Sequence, residues 1–477
     1  MEEEDESSAR PSRDGPDVMD GTIKRKTFLS KRVRKSRIRA RNLTACANLL
    51  IDSEENAPDR TDLRGRVSSR SLLTPWAKRT VRNSARSLRR DPVAGAIYVN
   101  ERKVSYGFLS SVPPTPCGIA TFTAALGKTL VEMGAKVSVV RVLDEPTDLH
   151  SDVLPVVGEL IESDPSSIGL AIDALNRCDV AVVQHEYGLY GGIDGSDVVR
   201  IIYGLRIPSI AILHTLLPSP TTHQIEVLND VISGVDVVVV MSETAATTLR
   251  RVNELGETVL KIIPHGAEVK TNTHVRSCAE RPRLLTWGLL GPSKGIEWAI
   301  DAMVLLRDLD PMPIYIVAGR THPKVLARQG DVYRESLIER VARNNLDDVV
   351  QFDNSYRDLP SLYELIQSVD VVVLPYDSHD QATSGVLVDA LAAGLPVVAT
   401  AFPHARELLT SGAGSVVNHE DPEALAKALR SVLTLPELLS DMAAAARTIA
   451  SGLSWSTVAT EYQKVSLSLV ESVMVDA

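Results

Sequence analysis

Aromatic side chains are scarce in this chain: Phe, Trp and Tyr together make up 4% of its 477 residues. Its cores must therefore be built from Val, Leu, Ile and Ala, the material of short buried strands and small-residue helices. Cysteine is sparse as well. Cys46, Cys117, Cys178 and Cys278 stand apart, without CxxC spacing or a paired histidine, which argues against a disulfide framework and a zinc site and fits reduced thiols. No apolar run approaches the roughly 20 residues of a membrane span, and the acidic start MEEEDESS is unlike a secretory leader. Net positive charge is also lacking. A formal charge of −10 argues against wholesale nucleic-acid binding. The expectation is a cytoplasmic protein.

What is present is unevenly spread. The first hundred residues carry a net charge of roughly +8 and the remainder about −18. Residues 1–100 show no sustained period and hold clusters such as KRKTFLSKRVRKSRIRAR. They read as a basic, disordered, solvated tail. Two other readings stand beside it: an arm making weak contact with the inner face of an anionic membrane, or an extension ahead of a native start near Lys103. Nothing catalytic is placed there.

From Val104 the pattern becomes regular, and β-branched runs alternate with Ala/Leu-rich segments. KVSYGFLSS, AKVSVVRVL, CDVAVVQHEYG, IPSIAILHTL, VDVVVVMSE and VLKIIPHG read as strands, most of them closing on polar residues. After a polar stretch at 269–281, a second series follows: PRLLTWG, MPIYIVAG, DVVQFDN, VDVVVLPY and LPVVAT. The expected class is α/β: two Rossmann-like doubly wound domains, over 101–275 and 276–452, facing each other across a cleft, with a closing helix at 453–477. Ligand groups belong at the carboxyl ends of such strands.

Several motifs fall there. PPTPCGIATFTAAL puts Gly118 at a strand-to-helix turn, where close backbone approach to a ligand and plain turn chemistry are both open readings. VVQHEYGLYGG sets Gln184, His185 and Glu186 directly after a strand, ahead of Gly188, Gly191 and Gly192, and ILHTLLPSP repeats the arrangement with His214 and Thr215. No ligand spacing on one helix suggests a metal. TWGLLGPSKGIEWAIDA brings Gly288, Gly291, Lys294 and Gly295 between strand and helix, a combination suited to phosphate although the Walker A spacing is absent.

The order WGLLGPSKGIEWAIDAM, IYIVAG, SVDVVVLPY and SGVLVDALAAGLPVVAT resembles the second domain of the family-four retaining glycosyltransferases, the glycogen-synthase-like GT-B enzymes. IIPHG matches their interdomain hinge turn, and YGFLSSVPPTPCGIATFTAAL with QHEYGLYGG resembles a bacterial, often actinobacterial, subgroup. The resemblance spans Val104 to Lys464. It implies a nucleoside-diphosphate sugar donor of the GDP-mannose or UDP-glucose type, a saccharide or glycoside acceptor, and no metal or other cofactor.

By the same resemblance Lys294 contacts the donor diphosphate, with Gly291 beside it. Leu289 stands where the family carries an Arg, and Arg320 is the candidate substitute. Gln381 and Asp389 fall in register with the family's two glutamates. Asp389 would hold the ribose, and Gln381, with Asp380 beside it, the transferred sugar. The amides of Thr383, Ser384 and Gly385 would lie near the diphosphate. His214 would face the reacting sugar, while Gly118, His185 and Glu186 would lie on the acceptor side. His214, Lys294 and Gln381 form the implied catalytic set. A glycoside phosphorylase of the same fold and a non-catalytic sugar-nucleotide binder, the latter favoured by Leu289 and Gln381, are the alternatives.

Overall fold

The computed structural model describes residues 103–476 apart from 163, 254, 257, 270–280 and 356. The basic tail, Cys46, Cys278 and most of the 269–281 stretch lie outside the described residues. Seven strands form the first sheet: β1 (Ser105–Ser110), β2 (Lys136–Leu143), β3 (Val156–Ile161), β4 (Val180–His185), β5 (Ser209–Leu213), β6 (Val237–Val240) and β7 (Val259–Ile262). Six form the second: β8 (Arg283–Trp287), β9 (Ile314–Ala318), β10 (Val350–Asp353), β11 (Val371–Leu374), β12 (Val397–Thr400) and β13 (Gly414–Val417).

The orders are β3-β2-β1-β4-β5-β6-β7 and β10-β9-β8-β11-β12-β13, with every pairing parallel. In each sheet the order reverses beside the first strand, at β1/β4 and at β8/β11. Crossover helices leave those strands toward opposite faces, so a crevice opens at their carboxyl ends. The doubly wound α/β expectation is met in both halves.

Helices on both faces explain the strand compositions. β6 (Val-Val-Val-Val) and β11 (Val-Val-Val-Leu) are buried at every position. Two apolar clusters sandwich the first sheet and two the second. Two strands escape the sequence reading: β3 (VVGELI) and β13 (GSVV). Both are outermost in their sheets and pair on one side only. They stay partly exposed, and need no continuous apolar run.

The two domains are tied by two chain crossings that bond to each other. Ala267 donates to Leu453 O at 2.7 Å, and Trp455 donates to Ala267 O at 3.2 Å. The last helix, Trp455–Asp476, returns to the first domain. Its Val458, Ala459 and Tyr462 join a cluster with Tyr106 and Phe108 of β1 and with Phe122 and Leu126 of the helix Gly118–Glu132. The end of the chain thereby completes the core of the domain that begins it.

Candidate active site

One wall is built after β8. The short turn Pro292–Lys294 ends at Gly295, whose φ is 57°, and a β-carbon there would sit 2.0 Å from Pro375 O. Only glycine permits the turn to pack against the β11 loop this tightly. The turn aims Lys294 over the Tyr376 ring, with Nζ 4.1 Å from the centroid. No acid lies within ion-pair distance of Lys294 among the described residues.

The chain after β9 straps this turn from the other side. Leu290 donates to Arg320 O and His322 donates to Leu290 O, both at 2.8 Å. Gly319 (φ 136°) allows it, because a β-carbon there would meet Gly288 O at 1.9 Å. The strap brings two residues that the sequence reading missed. His322 is held below its ordinary pKa by burial and then by the Lys324 and Lys294 charges, opposed by Glu186. Lys324 Nζ donates to Gly188 O of the other domain at 3.1 Å. Glu186 accepts from Gly188 N at 3.3 Å. Arg320 is exposed, and its Nε donates to Asn354 O at 3.4 Å.

The second wall follows β11. Ser384 caps the helix Gly385–Ala392, its Oγ accepting from Leu387 N at 3.2 Å. Its own N–H donates to His404 Nδ1 at 2.9 Å. This corrects the expectation of three amides for a diphosphate, since the Ser384 amide is already engaged. His404 lies 20 residues farther on, and no local pattern announces that bond. The amides of Gly385 and Val386 find no protein acceptor among the described residues. Gln381 Nε2 turns back to Thr383 O at 3.2 Å, and exposed Asp380 accepts from Ser378 Oγ at 2.8 Å. Asp389, one helical turn on from Gly385, has no hydrogen-bond partner for its carboxylate among the described residues. Burial pushes its pKa up to about 7; Tyr363 nearby is raised by its own burial and then by the Asp389 charge.

The facing domain contributes imidazoles. His214 follows β5, and its Nε2 lies 2.6 Å from Gln184 Oε1. Its ring meets the edge of Phe122, centroids 5.0 Å apart, and Phe122 also touches His265 and Trp455. His265, of the hinge turn, bonds Gly266 O through Nδ1 at 2.7 Å. Its Nε2 would lie 3.0 Å from a β-carbon on Gly385, so it faces the helix start directly. His185 is only 1% exposed and packs edge-on against Tyr187, while its Nδ1 finds no partner among the described residues. Gly118 opens its helix, with no protein atom within 4 Å of a notional β-carbon.

Burial is the leading cause that holds His214 near pKa 3 and His185, His265 and His404 near 4. All four are neutral at pH 7. They offer hydrogen-bonding nitrogens without charge. No cluster of three metal-ligating side chains occurs among the described residues. No helix among the described residues is long and apolar enough to cross a membrane.

The walls are clamped together. Ser242 Oγ donates to Ala382 O at 2.7 Å. Glu407 of the second domain caps the helix Glu243–Val252 of the first, accepting from Glu243 N at 3.0 Å and from Thr244 N and Oγ1 at 2.9 and 2.7 Å.

Residues 275–449 match the family model described as Glycosyl transferases group 1. A D-inositol 3-phosphate glycosyltransferase of Streptomyces griseus is 30% identical over 177 residues, covering 36% of each chain. The lipopolysaccharide core biosynthesis mannosyltransferase LpsB of Rhizobium meliloti is 30% identical over 145 residues, covering 30% of this chain and 38% of LpsB. The matches thus span little more than a third of these curated relatives. Among solved structures, Anabaena HepE in complex with UDP superposes with a TM-score of 0.63 at 18% identity, covering 76% of this chain and all of HepE. Sucrose-phosphate synthase from Thermosynechococcus elongatus gives 0.61 at 19% identity, covering 78% of this chain and all of the synthase. The chain has the GT-B fold, and its second domain matches the group 1 glycosyl transferases.

Proposed function

We propose that this protein is a retaining glycosyltransferase that moves a hexose from a nucleoside-diphosphate sugar, of the UDP-glucose or GDP-mannose type, to an acceptor hydroxyl. The observation that carries the reading is the unpartnered set on the second domain. Lys294 meets no acid and the Gly385 and Val386 amides and the Asp389 carboxylate find no hydrogen-bond partner among the described residues, and these groups flank the crevice at the β8/β11 switch point. A diphosphate suits the first three, and ribose hydroxyls suit the last. HepE, which shares the fold, was crystallised with UDP and with UDP-glucose.

In this mechanism the bond from the sugar's anomeric carbon to the diphosphate oxygen breaks, and the acceptor oxygen bonds to that carbon on the same face. The acceptor's proton passes to the departing diphosphate. Lys294 and the helix-start amides stabilise the charge that develops there. Neutral His214, oriented by Gln184, hydrogen-bonds the sugar without adding charge. Lys324, anchored on Gly188 O, supplies a second ammonium near Lys294, where the family's Arg is replaced by Leu289. Closure of the two domains over the donor would exclude water and limit its hydrolysis.

One observation favours a non-catalytic sugar-nucleotide binder: the Gln381 side chain is folded back on Thr383 O. Purified protein offered UDP-, GDP- and ADP-sugars separates the two readings. Thermal shift reports binding, and nucleotide release with simple sugar acceptors reports transfer. Binding without release across the acceptor panel would support the binder, and no binding of any nucleotide would sink both.

A further inference from the structure

A cavity of about 730 Å³ lies between the domains, outside the donor walls described above. The helix Glu243–Val252 lines it with Thr244, Thr247, Thr248 and Arg251, spaced as one helical face. Arg406, His379 and His419 of the second domain line the opposite side.

The groups there are unequally committed. Thr244 Oγ1 is held by Glu407, and the Glu407 carboxylate is engaged by the helix start. Thr247 and Thr248 hydroxyls have no partner among the described residues. Arg406 is fixed by Nε donating to Ala401 O at 3.0 Å, and its two terminal amino groups have no acceptor among the described residues. Arg251 makes only a 3.5 Å contact to Pro218 O. Neither guanidinium meets a carboxylate among the described residues, and Glu243, the other acid of the wall, is exposed. His419 bonds Tyr376 O through Nδ1 at 2.8 Å and its ring lies 4.0 Å from that of His379, so imidazole edges complete the wall.

Two guanidinium groups that meet no carboxylate, each with terminal N–H groups to spare, match the oxygens of a phosphate, and hydroxyls without a partner among the described residues, with imidazole edges, match sugar hydroxyls. We infer that this cavity binds a small phosphorylated polyol, a sugar phosphate, held by both domains at once. The inference goes beyond the donor reading and does not require it.

The test is calorimetric titration of the full chain with glucose 6-phosphate, fructose 6-phosphate and glycerol 3-phosphate, with glucose as the uncharged control. Saturable binding of at least one phosphate but not of glucose is expected. R251Q and R406Q should each weaken it at least tenfold, and R406K should retain more of it than R406Q. UDP binding, measured on the same samples, should not change. That control separates failure of this site from failure of the donor site. An absence of saturable binding across the panel, or equal binding in wild type and both Gln variants, would overturn the proposal. An acceptor substrate and a regulator share this chemistry. Incubation with a nucleotide-sugar distinguishes them: an acceptor gains the mass of one hexose, and a regulator is recovered unchanged while donor turnover shifts.

Discussion

Asp389→Asn is the most informative single change, because it should weaken binding and strengthen the fold together. Burial pushes the Asp389 carboxyl up to about 7, so near neutral pH it is only partly ionised. Ribose hydroxyls would be held by the carboxylate, and binding must therefore draw on the ionised fraction. At pH 6 about one molecule in ten is ionised, so forming the carboxylate costs about 1.4 kcal/mol before any contact is made. At pH 8 that cost nearly vanishes. The wild-type affinity for a nucleotide-sugar, whose esterified phosphates do not titrate in this range, should rise about tenfold from pH 6 to pH 8, and binding at pH 6 should release close to one proton. Calorimetry in two buffers of different ionisation enthalpy reads both quantities. In Asp389→Asn the slope should disappear, and affinity at pH 8 should fall by about 1–3 kcal/mol through the lost charged hydrogen bonds.

Stability should move the other way. A carboxyl raised above its unfolded value favours the folded state while protonated. That contribution is complete below about pH 4 and lost as the pH rises through about 7. Asn cannot ionise, so the variant should unfold at higher urea than wild type at pH 8, by about 1–2 kcal/mol after allowance for partial exposure. A wild-type affinity flat between pH 6 and 8, or a variant that keeps the wild-type slope, would refute the reasoning.

Three further outcomes are expected. Lys294→Ala should weaken nucleotide-sugar binding by about 1–3 kcal/mol and flatten its salt dependence; titration at low and high salt checks both, and an unchanged salt slope would remove Lys294 from the diphosphate. Gly295→Ala should destabilise the second domain by about 3 kcal/mol or more, since its φ of 57° and the 2.0 Å approach to Pro375 O leave a methyl no room; a thermal melt within a degree of wild type would contradict that packing. Burial depresses the pKa values of the buried imidazoles, so their contribution to stability is whole above about pH 6.5 and is lost as the pH falls through about 4. His185 and His404, at 1% and 2% exposure, should each account for about 1.4 kcal/mol per pH unit in that window, read from urea midpoints. A His404→Gln variant with an undiminished slope would show that His404 does not titrate there.

The sequence by itself determined the architecture. The Val-rich runs of β6 and β11 can be stable only when covered on both faces, and their alternation with helices leaves a parallel sheet as the outcome. It also located the Lys294 turn, where glycine and lysine act through local backbone geometry, whereas the Ser384–Asp389 helix start came with the family resemblance. β3 and β13 were illegible, since an edge strand bonded on one side can be short and half-exposed. Tertiary structure alone decided which groups remain free. Ser384 looks like an available amide until His404, twenty residues on, accepts its hydrogen bond. His265 reads as a hinge residue until the two chain crossings place its ring against Gly385. Lys324 and Glu407 have no local signature, because each finds its partner on the opposite domain. Hydrogen-bond capacity is a property of residue type, but whether it is already spent depends on contacts between segments far apart in the chain.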